Sequence, residues 1–201
     1  MGMNQFRSEA DLELEPETQA EKGGGRWRLV REVLETILLS LVIFGVINTL
    51  SARIRVESVS MQPTLYAGDF VIVNKLAYRL GEPKRGDVIV FRYPPAPEQE
   101  PYIKRIIGLP GERVNISGGK VTINGQLLEE LYLKVTTNQG GEWLVPPESL
   151  FVMGDNRNSS SDSRAWGMVP FENVIGKALV VYWPPGKWGV LSFPSASAAG
   201  P

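Results

Sequence analysis

The chain has 201 residues, 43% of them hydrophobic and 21% charged, with a net charge of −1. That is the composition of a folded protein long enough for one domain with an insertion, and it carries no electrostatic footprint for nucleic acid. There is no histidine and no cysteine, which excludes disulfides, thiolate catalysis, cysteine metal sites and imidazole as ligand or general base.

Residues 1–25 are acidic and end in Gly23-Gly24-Gly25, a composition that reads as a solvated tail or linker. Val33 to Leu50, VLETILLSLVIFGVINTL, follows. At 1.5 Å per residue such a helix reaches roughly 27 Å, close to the hydrocarbon thickness of a bilayer. Its apolar residues lie on all sides, which argues against a surface helix with one buried stripe. A cleavable signal peptide has a similar charge pattern, and Ser51 and Ala52 are small enough to end one, but its apolar core is usually shorter. The segment is therefore expected to be a retained single-pass anchor. Arg26, Arg28 and Arg31 precede it, which favours a cytoplasmic N-terminus and places the remainder across the membrane. The expected organisation is a cytoplasmic tail and basic juxtamembrane segment over 1–32, a transmembrane helix over 33–50, an extracytoplasmic domain over 51–191 and a flexible tail over 192–201.

Beyond the anchor, short apolar runs alternate with turn residues: Asp69–Leu76, Asp87–Tyr93, Tyr102–Leu109, Arg113–Ile116, Lys120–Ile123, Leu150–Met153 and Ala178–Trp183. Ser117-Gly118-Gly119 and Asn124-Gly125 stand where hairpin turns belong. The pattern predicts a mainly β, antiparallel domain with a small β insertion over about 112–148.

Three segments carry the chemistry. Ser60 lies in Ser58-Val59-Ser60-Met61-Gln62-Pro63-Thr64-Leu65, shortly after the apolar segment. A serine hydroxyl needs a base to act as a nucleophile, and without histidine the strongest candidate is a lysine held neutral. Free lysine, with a pKa of roughly 10.4, is almost wholly charged at neutral pH, so the residue sought must be buried among apolar neighbours. Lys104, in Tyr102-Ile103-Lys104-Arg105-Ile106-Ile107, meets that requirement; Lys75, in Val71-Ile72-Val73-Asn74-Lys75-Leu76, competes with it on composition. The third segment, Gly154–Arg164, has no apolar side chain and in isolation reads as a hydrophilic loop.

Taken together, these segments resemble the bacterial type I signal peptidase (leader peptidase) family. The Ser58–Leu65 run resembles its nucleophile box. Lys75 and Lys84-Arg85-Gly86-Asp87-Val88-Ile89-Val90-Phe91 match the next two boxes, Tyr102–Gly111 the lysine box and Gly154–Arg164 the last. The resemblance spans 54–183 and favours Lys104 over Lys75. It implies a membrane-anchored serine endopeptidase with the antiparallel β core of that family. Such an enzyme cleaves signal peptides from exported preproteins after Ala-X-Ala-like motifs and needs no metal or cofactor. Its partners would be those signal peptides, the bilayer and the export translocon.

By the same resemblance, Ser60 is the nucleophile and Lys104 the general base. The Ser60 N–H and the Ser58 hydroxyl form the oxyanion hole, and Ser160 orients the lysine amine. Asp155 with Arg105 and Asp162 with Arg164 are supporting ion pairs. Met61, Leu65, Val90, Tyr102 and Ile103 match substrate-pocket positions. Glu57, where the family often has proline, and Asn158, where aspartate is common, depart from the pattern. The alternative expectation is an anchored β domain that binds exported peptides without cleaving them.

Overall fold

The structure, a computed structural model, describes residues 24–133 and 136–191. The two tail segments expected at the chain ends therefore fall largely outside the described residues. Two compact units partition the chain, one ending at Phe44 and the other beginning at Gly45.

Helix α1 runs Gly24–Leu50, starting well before the apolar run at Val33. The extension is stabilised locally: Arg28 pairs with Glu32 and Arg31 with Glu35, each one helical turn apart. Within the apolar part, the hydroxyls of Thr36, Ser40 and Thr49 each donate to the carbonyl four residues back, so these three side chains are satisfied within the helix. Gly25–Leu50 is long and apolar enough to cross a membrane, and its side chains are exposed along its whole length. A helix that is apolar all round and exposed among the described residues suits lipid rather than a protein core.

The second unit is antiparallel β. Its larger sheet comprises β1 (Ser51–Arg55), β2 (Phe70–Asn74), β3 (Val88–Phe91), β4 (Tyr102–Gly108), β9 (Ser149–Met153), β10 (Val169–Pro170), β11 (Val174–Trp183) and β12 (Gly189–Val190), in the order β1-β2-β11-β3-β4-β9-β10 with β12 on β11. The smaller sheet, in the order β7-β6-β5-β8, is the expected insertion: β5 (Arg113–Ser117), β6 (Lys120–Ile123), β7 (Gln126–Leu127) and β8 (Gly141–Leu144). Its hairpins turn where the glycines predict. Asn124 and Gly125 both have positive φ, 50° and 84°, the conformation a two-residue primed turn requires.

Strand alternation sends the side chains of β3 into two cores. Val88 and Val90 join Val56, Met61, Leu65, Val71, Val73 and Ile103 on one side. Ile89 and Phe91 join Ile106, Leu150, Val152 and Val169 on the other. Strand β4 is therefore covered on both faces and buried from Ile103 to Gly108, although it carries a lysine and an arginine. A third cluster seals the small sheet onto Ile107, Phe151 and Met153. Burying both faces of β4 removes water from around Lys104.

Candidate active site

Ser60 sits in the tight turn that follows β1, where Leu65 N donates to Met61 O at 2.9 Å. The loop after β9 clamps this turn: Asn156 N donates to Ser60 O at 2.9 Å and Asn156 Nδ2 to Val59 O at 3.2 Å. Lys104 reaches the same point from β4. Its Nζ donates to Ser60 Oγ at 2.7 Å and to the Ile103 carbonyl at 3.1 Å. Ser60 is 5% exposed and Lys104 4%, so the pair is nearly dry. Ser58 Oγ lies 2.9 Å from Ser60 Oγ.

Burial lowers the Lys104 pKa from 10.5 to about 8, against the opposing pull of Asp162 and Asp155. The loss of hydration outweighs those two charges because each carboxylate is already engaged. Arg105, fully buried, grips Asp155 with a two-pronged contact at 2.7 and 2.5 Å and also donates to Gly86 O at 2.8 Å. Thr64 Oγ1 donates to the same carboxylate at 2.5 Å. Arg164 grips Asp162 at 2.7 Å through both Nε and Nη2. Asp162 also caps the short helix α2 (Ser163–Trp166) and accepts from Gly154 N at 3.0 Å. Both expected ion pairs are thus present, and they hold the Gly154–Arg164 loop against the nucleophile turn.

Other expected positions differ. Ser160 Oγ is buried and has no hydrogen-bond partner among the described residues; in place of the expected bond to Ser160, the lysine amine donates to Ser60 and Ile103. Met61, Leu65 and Val90, expected to line substrate pockets, have no exposed surface and belong to the core. Tyr102 and Ile103 do face a cleft. About 370 Å³ in volume, it runs between Arg53–Ser58 on one wall and Glu100–Lys104 on the other. Lys75, the rival base, lies on a different cleft, with Tyr78, Arg79 and Phe171.

Sequence reasoning missed three supports. Thr64 completes the Arg105–Asp155 pair. Asn156 holds the nucleophile's own carbonyl. Arg157, 2% exposed, donates to Gly154 O at 3.2 Å, to Glu130 Oε2 at 2.8 Å and to Thr137 Oγ1 at 3.3 Å. Arg157 stands within the polar loop, but nothing in the sequence around Glu130 signals a partner for it. Asn158, the departure in the last box, accepts from Asn138 N and donates to Thr136 O, both at 3.1 Å. Aspartate could make only the first of these bonds.

Comparison with known proteins identifies the family. The family profile described as "Signal peptidase, peptidase S26" matches residues 29–183. A signal peptidase I of Leptolyngbya laminosa is 47% identical over 171 residues, covering 81% of this chain and 84% of the relative. A signal peptidase I of Bacillus caldolyticus is 38% identical, covering 83% and 94%. Among solved structures, a signal peptidase I from Enterococcus faecalis V583 matches with 36% identity and a TM-score of 0.44, over 48% of this chain and 97% of that one. The family match and the two relatives support a peptidase that cleaves signal sequences, and the chain belongs to the signal peptidase I family, peptidase S26.

Proposed function

We propose that the protein is a membrane-anchored Ser/Lys endopeptidase that removes N-terminal signal peptides from exported preproteins after Ala-X-Ala-like motifs. The observation that carries this reading is the buried Lys104 Nζ at 2.7 Å from Ser60 Oγ, with its pKa brought down to about 8. In the neutral state the lysine accepts the Ser60 proton as Oγ attacks the scissile carbonyl. The C–N bond breaks when the resulting ammonium returns that proton to the leaving amine. Neutral again, Lys104 takes a proton from water, and the hydroxide so formed hydrolyses the acyl-enzyme.

The oxyanion is received by the Ser60 N–H and by Ser58 Oγ, which is one hydrogen bond from the nucleophile oxygen. Ser160, whose Oγ is buried beside Gly154, is read as the hydroxyl that orients the amine during the reaction while Lys104 keeps its contact with Ser60 Oγ.

Two free strand edges support an extended substrate. Among the described residues, β1 pairs only with β2, and Tyr102–Lys104 pair only with β3, since the β9 ladder begins at Arg105. These segments are the two walls of the cleft, so a peptide laid between them gains backbone hydrogen bonds as a β-strand. The anchor is read as crossing the plasma membrane with its N-terminus inside, an orientation that Arg26, Arg28 and Arg31 ahead of it favour. β1 begins directly after the anchor, which suits a cleavage site that emerges at the bilayer surface.

Cleavage of a purified preprotein in detergent tests the reading. Wild type is expected to release the signal peptide, while Ser60→Ala and Lys104→Ala are expected to be inactive. Full activity in either variant refutes the dyad, and signal-peptide binding without turnover by wild type points to a binding protein instead.

A further inference from the structure

Residues 53–57 alternate like a strand past the end of β1. Arg53, Arg55 and Glu57 are exposed, whereas Ile54 is half-buried and Val56 is buried. All five line the cleft that ends at Ser58 and Lys104, and Glu100 lies on the opposite wall. Among the described residues, Arg53, Arg55, Glu57 and Glu100 take part in no ion pair. Along the Arg53–Ser58 wall the charges are therefore segregated, with the cations Arg53 and Arg55 farther from Ser58 and the carboxylate of Glu57 next to it.

We infer that Glu57 is a specificity-determining residue that selects for a cationic side chain between the two small residues of the cleaved motif. This inference rests on the signal-peptidase reading above. In an extended substrate, side chains alternate between the two faces. The two alanines of Ala-X-Ala share one face and must turn toward the apolar floor, which Val56 and Ile103 supply. The intervening residue X then points outward, onto the exposed face of the wall. Glu57 occupies that face immediately before Ser58, within one residue repeat of the oxyanion donor. The leader half of the substrate comes from the bilayer, as does β1, so it is this half that lies along residues 53–58. An unpaired carboxylate there attracts a lysine or arginine at X and repels an aspartate or glutamate.

The test uses the full chain in detergent micelles and three peptides identical except that X is Lys, Gln or Glu. Each variant is read as the ratio of kcat/KM for the Lys peptide to that for the Glu peptide, so changes in overall activity or folded fraction cancel. Wild type is expected to favour Lys over Glu by about fivefold, the scale of one attraction and one repulsion at a part-exposed site. Glu57→Gln is expected to bring the ratio close to one, and Glu57→Lys to invert it. Added salt is expected to shrink the wild-type ratio. A wild-type ratio near one, or a ratio that survives in both variants, overturns the inference and leaves the signal-peptidase reading standing. A wild type that cleaves none of the three peptides overturns that reading and this inference with it.

Discussion

Gly154 and Ser160 are packed so closely that no side chain fits between them: a Cβ on Gly154 would lie 2.3 Å from Ser160 Oγ and 2.4 Å from the carbonyl oxygen of Ser60. The close approach brings a buried hydroxyl of the polar loop up to the backbone of the nucleophile. Gly154 is also held on both sides, its N–H by Asp162 and its carbonyl by Arg157. It cannot retreat from an added methyl without breaking one of those bonds. Gly154→Ala is therefore expected to push Ser60 and Ser160 apart. Overpacking of this kind costs about 1–3 kcal/mol in stability, and a displaced nucleophile costs roughly 100-fold in rate. Peptide cleavage and thermal melting of the same preparation check this: a folded variant with wild-type kcat would contradict it.

Activity should follow the protonation of Lys104. The reacting form is the neutral amine, and its pKa lies at about 8. Log kcat/KM is expected to rise with pH below that value, with unit slope, and to level off above it. Replacing Asp162 with Asn removes the largest charge that favours the ammonium form, so the midpoint should move to lower pH. A pH profile of each protein measures both effects.

The same burial makes Lys104 a burden on the fold. Its pKa is lower in the folded protein than the ordinary 10.5, so between about pH 8 and 10.5 the unfolded chain binds more protons than the native one. Stability therefore rises with pH across that window, and below it the full penalty remains. Lys104→Met should abolish cleavage yet raise stability at pH 7 by up to about 3 kcal/mol, the free-energy equivalent of the shift. The gain over wild type should fade as pH rises through 8 to 10.5. Denaturant midpoints at pH 7 and 10.5 give the comparison.

Where residue chemistry was local, the sequence was readable. The β architecture followed from apolar runs between turn signals, and the hairpin at Asn124-Gly125 from the φ that only such residues readily accept. Strand β1 was not readable, because Ser51-Ala52-Arg53-Ile54-Arg55 looks like a basic membrane flank and becomes a strand only by pairing with β2. Ser60 and Lys104 were identifiable because the absence of histidine leaves few ways to activate a serine. Their contact joins positions 44 apart in sequence, and composition alone left Lys75 as a rival until the resemblance favoured Lys104. The pocket positions Met61, Leu65 and Val90 show the opposite case. An apolar residue in a motif has the same sequence signature whether it faces a ligand or the core, and these three have no exposed surface.

Ser58 offers a test of the oxyanion assignment that does not touch the dyad. Its hydroxyl is 2.9 Å from Ser60 Oγ. Loss of one oxyanion donor typically lowers kcat by about 100- to 1,000-fold. Ser58→Ala is expected to show that loss with KM little changed, and Ser58→Thr, which keeps the hydroxyl, to recover most of it. Equal loss in both variants would assign Ser58 a packing role instead.

The insertion also supports the site, through the Arg157–Glu130 pair, which joins residues 27 apart in sequence with side chains 1% and 9% exposed. Glu130 lies on the segment after β7, in the insertion, yet it anchors the guanidinium that holds Gly154 O. The Tyr132 hydroxyl accepts from the same guanidinium at 3.4 Å and donates to Glu130 at 2.7 Å, and the Tyr132 ring lies 4.1 Å from the Arg105 guanidinium. The insertion thereby backs Arg157 and Arg105, two of the three arginines that hold the Gly154–Arg164 loop. Removing one partner strands a buried charge, which costs about 3–5 kcal/mol, whereas replacing both with apolar groups often costs far less. Glu130→Leu and Arg157→Met are each expected to lower the melting temperature by roughly 6–20 °C, at about 2–4 °C per kcal/mol for a chain of this size. The double variant should melt higher than either single one. Its activity should nevertheless stay low, because without the guanidinium nothing holds the Gly154 carbonyl. Melting and peptide cleavage across the four proteins of this cycle separate the two contributions: recovery of both stability and activity in the double variant would show that the pair supports the fold alone.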